Sequence, residues 1–443
     1  MSQQPENPMQ EFEMISSVLV RVRRACLAWA CCNLIAAGGG AQAAVAVNVV
    51  GPNAVSHWNE VASTTINQPA AATGTPEERL PIYAVDLATV HLAIYDAVMA
   101  IEGTHQPYAV RPTAPVAGAS TAAAVGAAAY GVLKGLFPSR GAAYEAAYSQ
   151  FVASLPEDGA RRLGLAVGAE VAAGMLALRA NDGRAVALAP YVPGTGPGQF
   201  RGVAPINRAH PHVKPFVLNS NAQFRVPAPP ALTSAAYAAD VNETRSLGAG
   251  TSNTRTMRTA DQEVIARFNT EAPPLFWTRN LRRFIMTAGT LAEHARLSAL
   301  LWVAHADASI ACFESKYHYN TWRPTSAITL ADSAGNPAVV ADPTWAPVVP
   351  TPNHPEYPAA HSCIAGTVAG VLRRYHGTPE VVFVLDSSVT GTGRHYGSVQ
   401  AMVDEIALAR LTGGMHFRFA TTAGATLGEQ VAAWTMANAF ARR

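Results

Sequence analysis

The run RRFIMTAGTLAEHARLSALLWVAHADASIACFESKYHYNTWRP, residues 282–324, decides the fold. Its apolar residues recur at helical spacing as far as residue 315 and continue without a break into Lys316. Pro324 then biases Arg323 away from helical geometry. Lys316 and Arg323 are seven residues apart, close to two helical turns, so the spacing predicts that both leave one helix face. Tyr319 and Trp322 stand beside them. Such a pair alone reads as an ordinary solvated face, and its meaning depends on what else the chain brings to it.

Working outward, the same period marks residues 82–101, 120–136, 142–155 and 159–181, then 233–248 and 259–269. Further helices are predicted from Pro358 to about Tyr375, and at 397–412 and 422–441. Alanine is abundant, 49% of the 443 residues are apolar and only 14% are charged, which favours packed helices over sheets. The expected class is all-α, with two helical bundles and the site in the C-terminal one. Residues 44–186 form the first bundle, 187–233 a proline- and glycine-rich loop, and 234–443 the second helical domain. No strand series is evident, and VVFVL at 381–385 alone makes no sheet. His91 and Asp96, inside the first long helix, read as structural groups. His210 and His212 in HPH are a weak metal signal, and their loop is better suited to walling a pocket.

Arg21, Arg23 and Arg24 precede a short apolar core and then AQA at 41–43, which reads as a secretory signal peptide cut near Ala43. The implied location is periplasmic or secreted. No later segment has the long apolar run of a membrane span, so the mature form has no membrane partner in this reading. With 32 basic and 30 acidic residues, the formal charge of +2 gives no support to nucleic-acid binding. Three of the five cysteines fall in the leader, leaving Cys312 and Cys363, either paired or as buried thiols. The oligomeric state stays open, a homo-oligomer included.

Two further stretches give the lysine and arginine their partners. In HPEYPAAHS, residues 354–362, Pro358 is placed as the first residue of a helix. Ala359, Ala360 and His361 would then form a first turn with unpartnered N–H groups, a ready anion site with a proton carrier at its rim. In RLTGGMH, residues 410–416, Arg410 ends a helix and Gly413 and Gly414 let the chain fold back, so that His416 can point where Arg410 points. Three permanent cations, one helix N-terminus and two histidines suit a tetrahedral or trigonal oxyanion.

The ordered pattern Lys316, Arg323-Pro324, then Pro358-Ala359-Ala360-His361, then Arg410 and His416 resembles the signature of the vanadium haloperoxidases and the related type-2 phosphatidic acid phosphatases (PAP2), in particular the bacterial haloperoxidase-like branch. The motifs cover about residues 300–440. The resemblance implies a vanadate cofactor, with phosphate able to occupy the same site. His416 would coordinate vanadium, while Lys316, Arg323, Arg410 and the N–H of Ala360 would hold the vanadate oxygens. His361 would be the acid–base residue, and Lys316 would also act on the peroxide. The implied reaction oxidises a halide with hydrogen peroxide to a hypohalous acid equivalent, which an organic acceptor can consume. Three positions matter to that reading. Ala359 replaces the family's serine and removes one hydroxyl hydrogen bond, worth roughly 1.5–3 kcal/mol to a charged group. Ala420 stands where the phosphatase branch has an aspartate, so His416 is expected to lack an orienting carboxylate. His354 matches a pocket histidine of bromide-oxidising members. Two alternatives remain: an acid phosphatase with His416 as nucleophile, and an oxyanion-binding protein without turnover.

Overall fold

A computed structural model describes residues 44–66, 82–250 and 256–443, and the expected signal peptide lies outside them. Residues 44–443 form one compact unit. The elements in chain order are β1 (Val45–Ala46), α1 (Ala54–Ile66), α2 (Tyr83–Glu102), α3 (Thr121–Leu136), α4 (Gly141–Ala153), α5 (Gly159–Leu178), α6 (Ala235–Leu247) and α7 (Ala260–Phe268). There follow α8 (Pro273–Phe284), α9 (Leu291–Tyr319), α10 (Pro324–Thr329), α11 (Ala360–His376), β2 (Val381–Ser387), β3 (Thr392–Tyr396), α12 (Val399–Thr412) and α13 (Arg418–Asn438).

The run over 282–324 joins two helices rather than forming one. Residues 285–290 separate α8 from α9, and Thr290 caps α9. Its hydroxyl accepts from the Glu293 N–H at 3.2 Å, while Glu293 Oε2 accepts from the Thr290 N–H at 2.8 Å. This Thr-x-x-Glu box stops the helical period from running backwards. At the other end Asn320 adopts a left-handed conformation (φ 49°) and closes the helix. Lys316 therefore lies in the last turn of α9, whereas Arg323 is the residue that enters α10 in an extended conformation. The two cations do not share a continuous helix face; the Asn320 turn swings the arginine round.

Helix α9 is about 44 Å long at 1.5 Å per residue and buried almost all round, packing against α2, α11 and α13. Among the described residues, α2 and α9 have the length and apolarity of membrane spans, and both are wrapped by protein. The seam between α11 and α13 is tighter. A Cβ at Gly428 would come within 2.0 Å of the Cys363 carbonyl oxygen, and one at Gly424 within 2.6 Å of the Ala359 carbonyl oxygen. Only glycine allows this approach, and it fixes the start of α11 against α13.

The helical expectation holds, and only the reading that VVFVL makes no sheet is corrected. VVFVL belongs to β2, which pairs antiparallel with β3 (Phe383 opposite Tyr396) and parallel with the two-residue β1 (Val45 opposite Val381). Its partners are too short to stand out as a strand series. The loop over 187–233 is held by a buried acid. Asp307 of α9 accepts from the N–H groups of Phe216, Val217 and Leu218 at 2.7, 2.8 and 3.1 Å. His91 and Asp96 are structural, as expected: His91 bonds Asn59 at 2.9 Å, and Asp96 accepts from the N–H groups of Tyr108, Ala109 and Val110.

Candidate active site

Helix α11 starts two residues later than the sequence suggested. Pro358 precedes it, Ala359 is its N-cap and Ala360 its first residue. Alanine offers no side-chain cap, so the first-turn N–H groups of Ala360, His361 and Ser362 receive none. The last turn of α12 supplies Arg410. Gly414 follows at φ 74°, where a Cβ would also meet the Gly248 carbonyl oxygen at 2.5 Å. The chain folds back so that the His416 N–H reaches the Arg410 carbonyl at 3.2 Å.

These elements converge. Lys316, Arg323, Arg410 and His416 are almost wholly buried, and His361 half-buried beside them. Lys316 Nζ donates to the carbonyls of Pro355 and Glu356, both at 2.9 Å. Arg323 donates through Nε to the His354 carbonyl at 2.7 Å and through Nη1 to the Met415 carbonyl at 3.0 Å. The same Nη1 is 3.0 Å from His416 Nε2. Arg410 Nη1 donates to the Asn269 carbonyl at 2.8 Å, and its Nε is buried without a hydrogen-bond partner. Among the described residues none of these three cations forms an ion pair with a carboxylate. Burial lowers all three, Lys316 to about 8, Arg323 to about 10 and Arg410 to about 9, so all remain charged at neutral pH.

The carboxylate that His416 was expected to lack is present, on a different element. Glu356 is fully buried, and its Oε1 accepts from His416 Nδ1 at 2.9 Å and from the Phe417 N–H at 3.1 Å. This bond sets the tautomer: the proton is on Nδ1, and the Nε2 lone pair faces Arg323. Burial raises Glu356 to about 7, and its Oε2 has no partner. Burial, and then the Arg323 and Lys316 charges, hold the His416 imidazolium well below the usual histidine range. His361 is lowered in the same way, by burial and then by Arg410, Lys316 and Arg323. Both histidines are neutral bases surrounded by positive charge. The expectation failed because it sought the carboxylate after His416, on α13; Glu356 comes sixty residues earlier, in the HPEYPAAH stretch itself.

The site opens on a cavity of about 450 Å³ whose wall includes His354, Ala360, His361, Phe313, Trp277 and His210. The 187–233 loop does wall a pocket, through Ile206, Asn207 and His210. His212 is not part of that wall. His354 sits between the Phe313 ring, in an edge-type contact with 5.2 Å between ring centres, and Arg323 Nη2 at 3.0 Å.

Among the described residues no cluster of three His, Cys, Asp or Glu could chelate a bare cation. The donor set fits a metal that arrives as an oxyanion, its oxygens matched by buried cations and helix N–H groups and its centre by one imidazole nitrogen.

Known proteins bear on the same region. The family model described as the VCPO second helical-bundle domain matches residues 296–442. Those residues belong to that family. The resemblance drawn from the three motifs is borne out, and every convergent site residue lies in this helical-bundle domain. The vanadium chloroperoxidase of Curvularia inaequalis is 32% identical over 124 residues, which are 24% of this chain and 20% of that protein's length. A bacterial vanadium-dependent iodoperoxidase has a similar fold, with TM-score 0.69 at 21% identity over 88% of this chain and 95% of its own. A bacterial vanadium-dependent chloroperoxidase in its apo form gives TM-score 0.64 at 17% identity over 83% of this chain and 95% of its own. At these identities the likeness is one of fold, and it reaches well beyond the helical-bundle domain.

Proposed function

We propose that this protein is a vanadate-dependent haloperoxidase, oxidising a halide with hydrogen peroxide to a hypohalous acid. One observation carries the reading: three buried cations that, among the described residues, form no ion pair with a carboxylate surround a histidine whose Nε2 lone pair Glu356 turns toward Arg323. Vanadate fits that arrangement. Lys316, Arg323 and Arg410 would neutralise its oxygens with the N–H of Ala360, and His416 Nε2 would bind its metal. The chemistry supplied when vanadate is bound is Lewis-acid activation of hydrogen peroxide toward a halide. The protein's part is positional and protonic. His361, neutral and facing the cavity, takes a proton from incoming peroxide and returns it to a departing oxygen. Halide, peroxide and one proton give hypohalous acid and water. The relatives that bear chloroperoxidase and iodoperoxidase names support the peroxidase reading and leave the halide open.

Glu356 also favours a second reading. A histidine oriented by a carboxylate is what an acid phosphatase needs for a nucleophile, and phosphate has the shape and charge of vanadate. One experiment separates the two. Purified protein is loaded with orthovanadate, desalted, and assayed for bromination of a 1,3-diketone with peroxide and bromide. Vanadate-free protein is assayed in parallel for p-nitrophenyl phosphate hydrolysis. Vanadate-dependent bromination, lost together with bound vanadium in His416→Ala, is the expected result. Hydrolysis without bromination moves the protein to the phosphatase reading.

A further inference from the structure

Cys312 and Cys363 take no part in the oxyanion chemistry, yet they stand at its edge. Cys312 is on α9, one turn before Lys316, and Cys363 is on α11, two residues after His361. Both are buried and free. The Cys363 thiol donates to the Cys312 sulfur at 2.8 Å, so the two are in direct contact. Beyond the expected leader, which holds Cys26, Cys31 and Cys32, the sequence has no other cysteine. The Cys363 backbone is fixed in place, since a Cβ at Gly428 of α13 would meet its carbonyl oxygen at 2.0 Å. Phe313 and Ile364, each the next residue after a cysteine, line the cavity beside His361, so the pair lies behind a wall of the space that peroxide would enter. Burial works against a thiolate on Cys312, but the S–H bond from Cys363 and the Lys316 charge outweigh it and lower that thiol, while burial holds Cys363 well above its ordinary range. The segment that the pair brackets matters to the site. The cysteines are 51 residues apart, and Lys316, Arg323, His354, Glu356, Ala360 and His361 all lie between them, with only Arg410 and His416 outside.

We propose that Cys312 and Cys363 are a modification site: hydrogen peroxide closes them into a disulfide that staples α9 to α11 across the two ends of the segment carrying most of the cradle. Peroxide is the oxidant of the haloperoxidase reading above, and the proposal rests on that reading for its source alone. The Cys312 sulfur attacks one peroxide oxygen and the O–O bond breaks. The other oxygen takes the thiol proton and leaves as water. The Cys363 sulfur then displaces the hydroxyl of the resulting sulfenic acid, which takes the Cys363 proton and leaves as a second water. The two thiols together lose two electrons, and one peroxide gains two. The pairing has a protective use. A single thiol in that position would go on from sulfenic to sulfinic and sulfonic acid, irreversibly, and set a charge into the core beside the site. A second thiol in contact captures the sulfenic acid first.

The test is peroxide treatment of vanadate-free protein that has first been reduced with tris(2-carboxyethyl)phosphine and desalted, with no halide present. After catalase, the protein is denatured, alkylated with iodoacetamide and peptide-mapped. The expected product is a cross-linked peptide pair containing Cys312 and Cys363, with neither cysteine alkylated and both recovered as thiols on renewed reduction. Closure should raise the melting temperature by about 5 °C over that of the reduced protein, because the cross-link restricts the unfolded chain. In Cys363→Ala the Cys312 peptide should instead gain oxygen and not revert on reduction; the wild-type map decides the matter by itself if that variant does not fold. Both thiols still alkylated after peroxide, oxygen-bearing cysteines without a cross-link in the wild type, or a cross-linked protein that melts no higher overturns the proposal. Closure in a protein that fails to brominate the diketone supports the site and removes only the peroxidase reading.

Discussion

At the scale of single residues, Glu356 has the largest predicted effect among those that would not touch the oxyanion. It is the acceptor that puts the His416 proton on Nδ1, and removing such an orienting partner typically costs ten- to a hundredfold in metal affinity or activity. Glu356→Ala should weaken vanadate binding by about that factor, measured by equilibrium dialysis, while Glu356→Gln, which keeps one acceptor oxygen, recovers part of it. Equal affinities in all three proteins would mean that the tautomer is set elsewhere. Ala359 tests the opposite direction. A serine there has two possible uses, since position 359 is both the N-cap of α11 and the position of the missing hydroxyl. Ala359→Ser should tighten vanadate binding about tenfold. A rise in melting temperature with unchanged vanadate affinity would show that the hydroxyl caps its own helix instead. The sequence disclosed the six convergent residues because each sits in a motif whose local geometry is sequence-encoded: a proline, a pair of glycines, a helix end. It concealed Glu356 because that contact joins residues sixty apart, which no local pattern reports.

At the scale of elements, long buried helices were legible and their junctions were not. Periodicity identifies α2 and α9, yet it ran α8 into α9 because residues 285–290 are apolar enough to continue the pattern. The capping box at Thr290 and Glu293 was the available signal. Similarly, β2 reads as an isolated apolar run because its partners, β1 and β3, carry no pattern of their own. The α9–α11 seam supplies an element-level prediction. Cys312 lies one turn before Lys316, and Cys363 two residues after His361. Both are free, and their sulfurs are 2.8 Å apart in an interior contact. Iodoacetamide followed by peptide mapping should leave both unlabelled in the native protein and label both in denaturant. Native labelling of either would mean that the seam opens, and with it the cradle formed by Lys316 and the α11 N-terminus.

At the scale of the whole molecule, the interior contains titratable groups displaced in both directions, and their balance sets the response to acid. Burial lowers His91 and His305 to about 3 and His210 to about 4, with His354, His361 and His416 also well below their ordinary value. Below about pH 6.5 an unfolded chain protonates these histidines and the folded one does not, so each removes up to about 1.4 kcal/mol of stability per pH unit as pH falls. Burial acts oppositely on acids, raising Asp96 and Asp307 to about 6 and Glu356 to about 7. Between those values and about pH 4 the folded state holds protons that the unfolded state does not, so these three groups add stability as pH falls. The two sets oppose one another from about pH 6.5 to 4, with the histidines more numerous. Below about 4 the contribution of these three carboxyls is complete, and the histidines held near 3 continue to remove stability, joined by acids held below their ordinary value, such as Glu263 and Glu271 with their arginine partners. The melting temperature should therefore decline gently from pH 6.5 to about 4.5 and steeply below 4. The His91→Asn variant should have a shallower steep limb whatever its absolute stability, because it removes one proton from the unfolded side of the balance. A melting temperature that stays level to pH 3.5, or a variant limb parallel to the wild type, would show that the buried histidines take up protons in the folded state. The cations around His361 and His416 would then be too far away to hold them neutral, and His361 would lose its role as a neutral base.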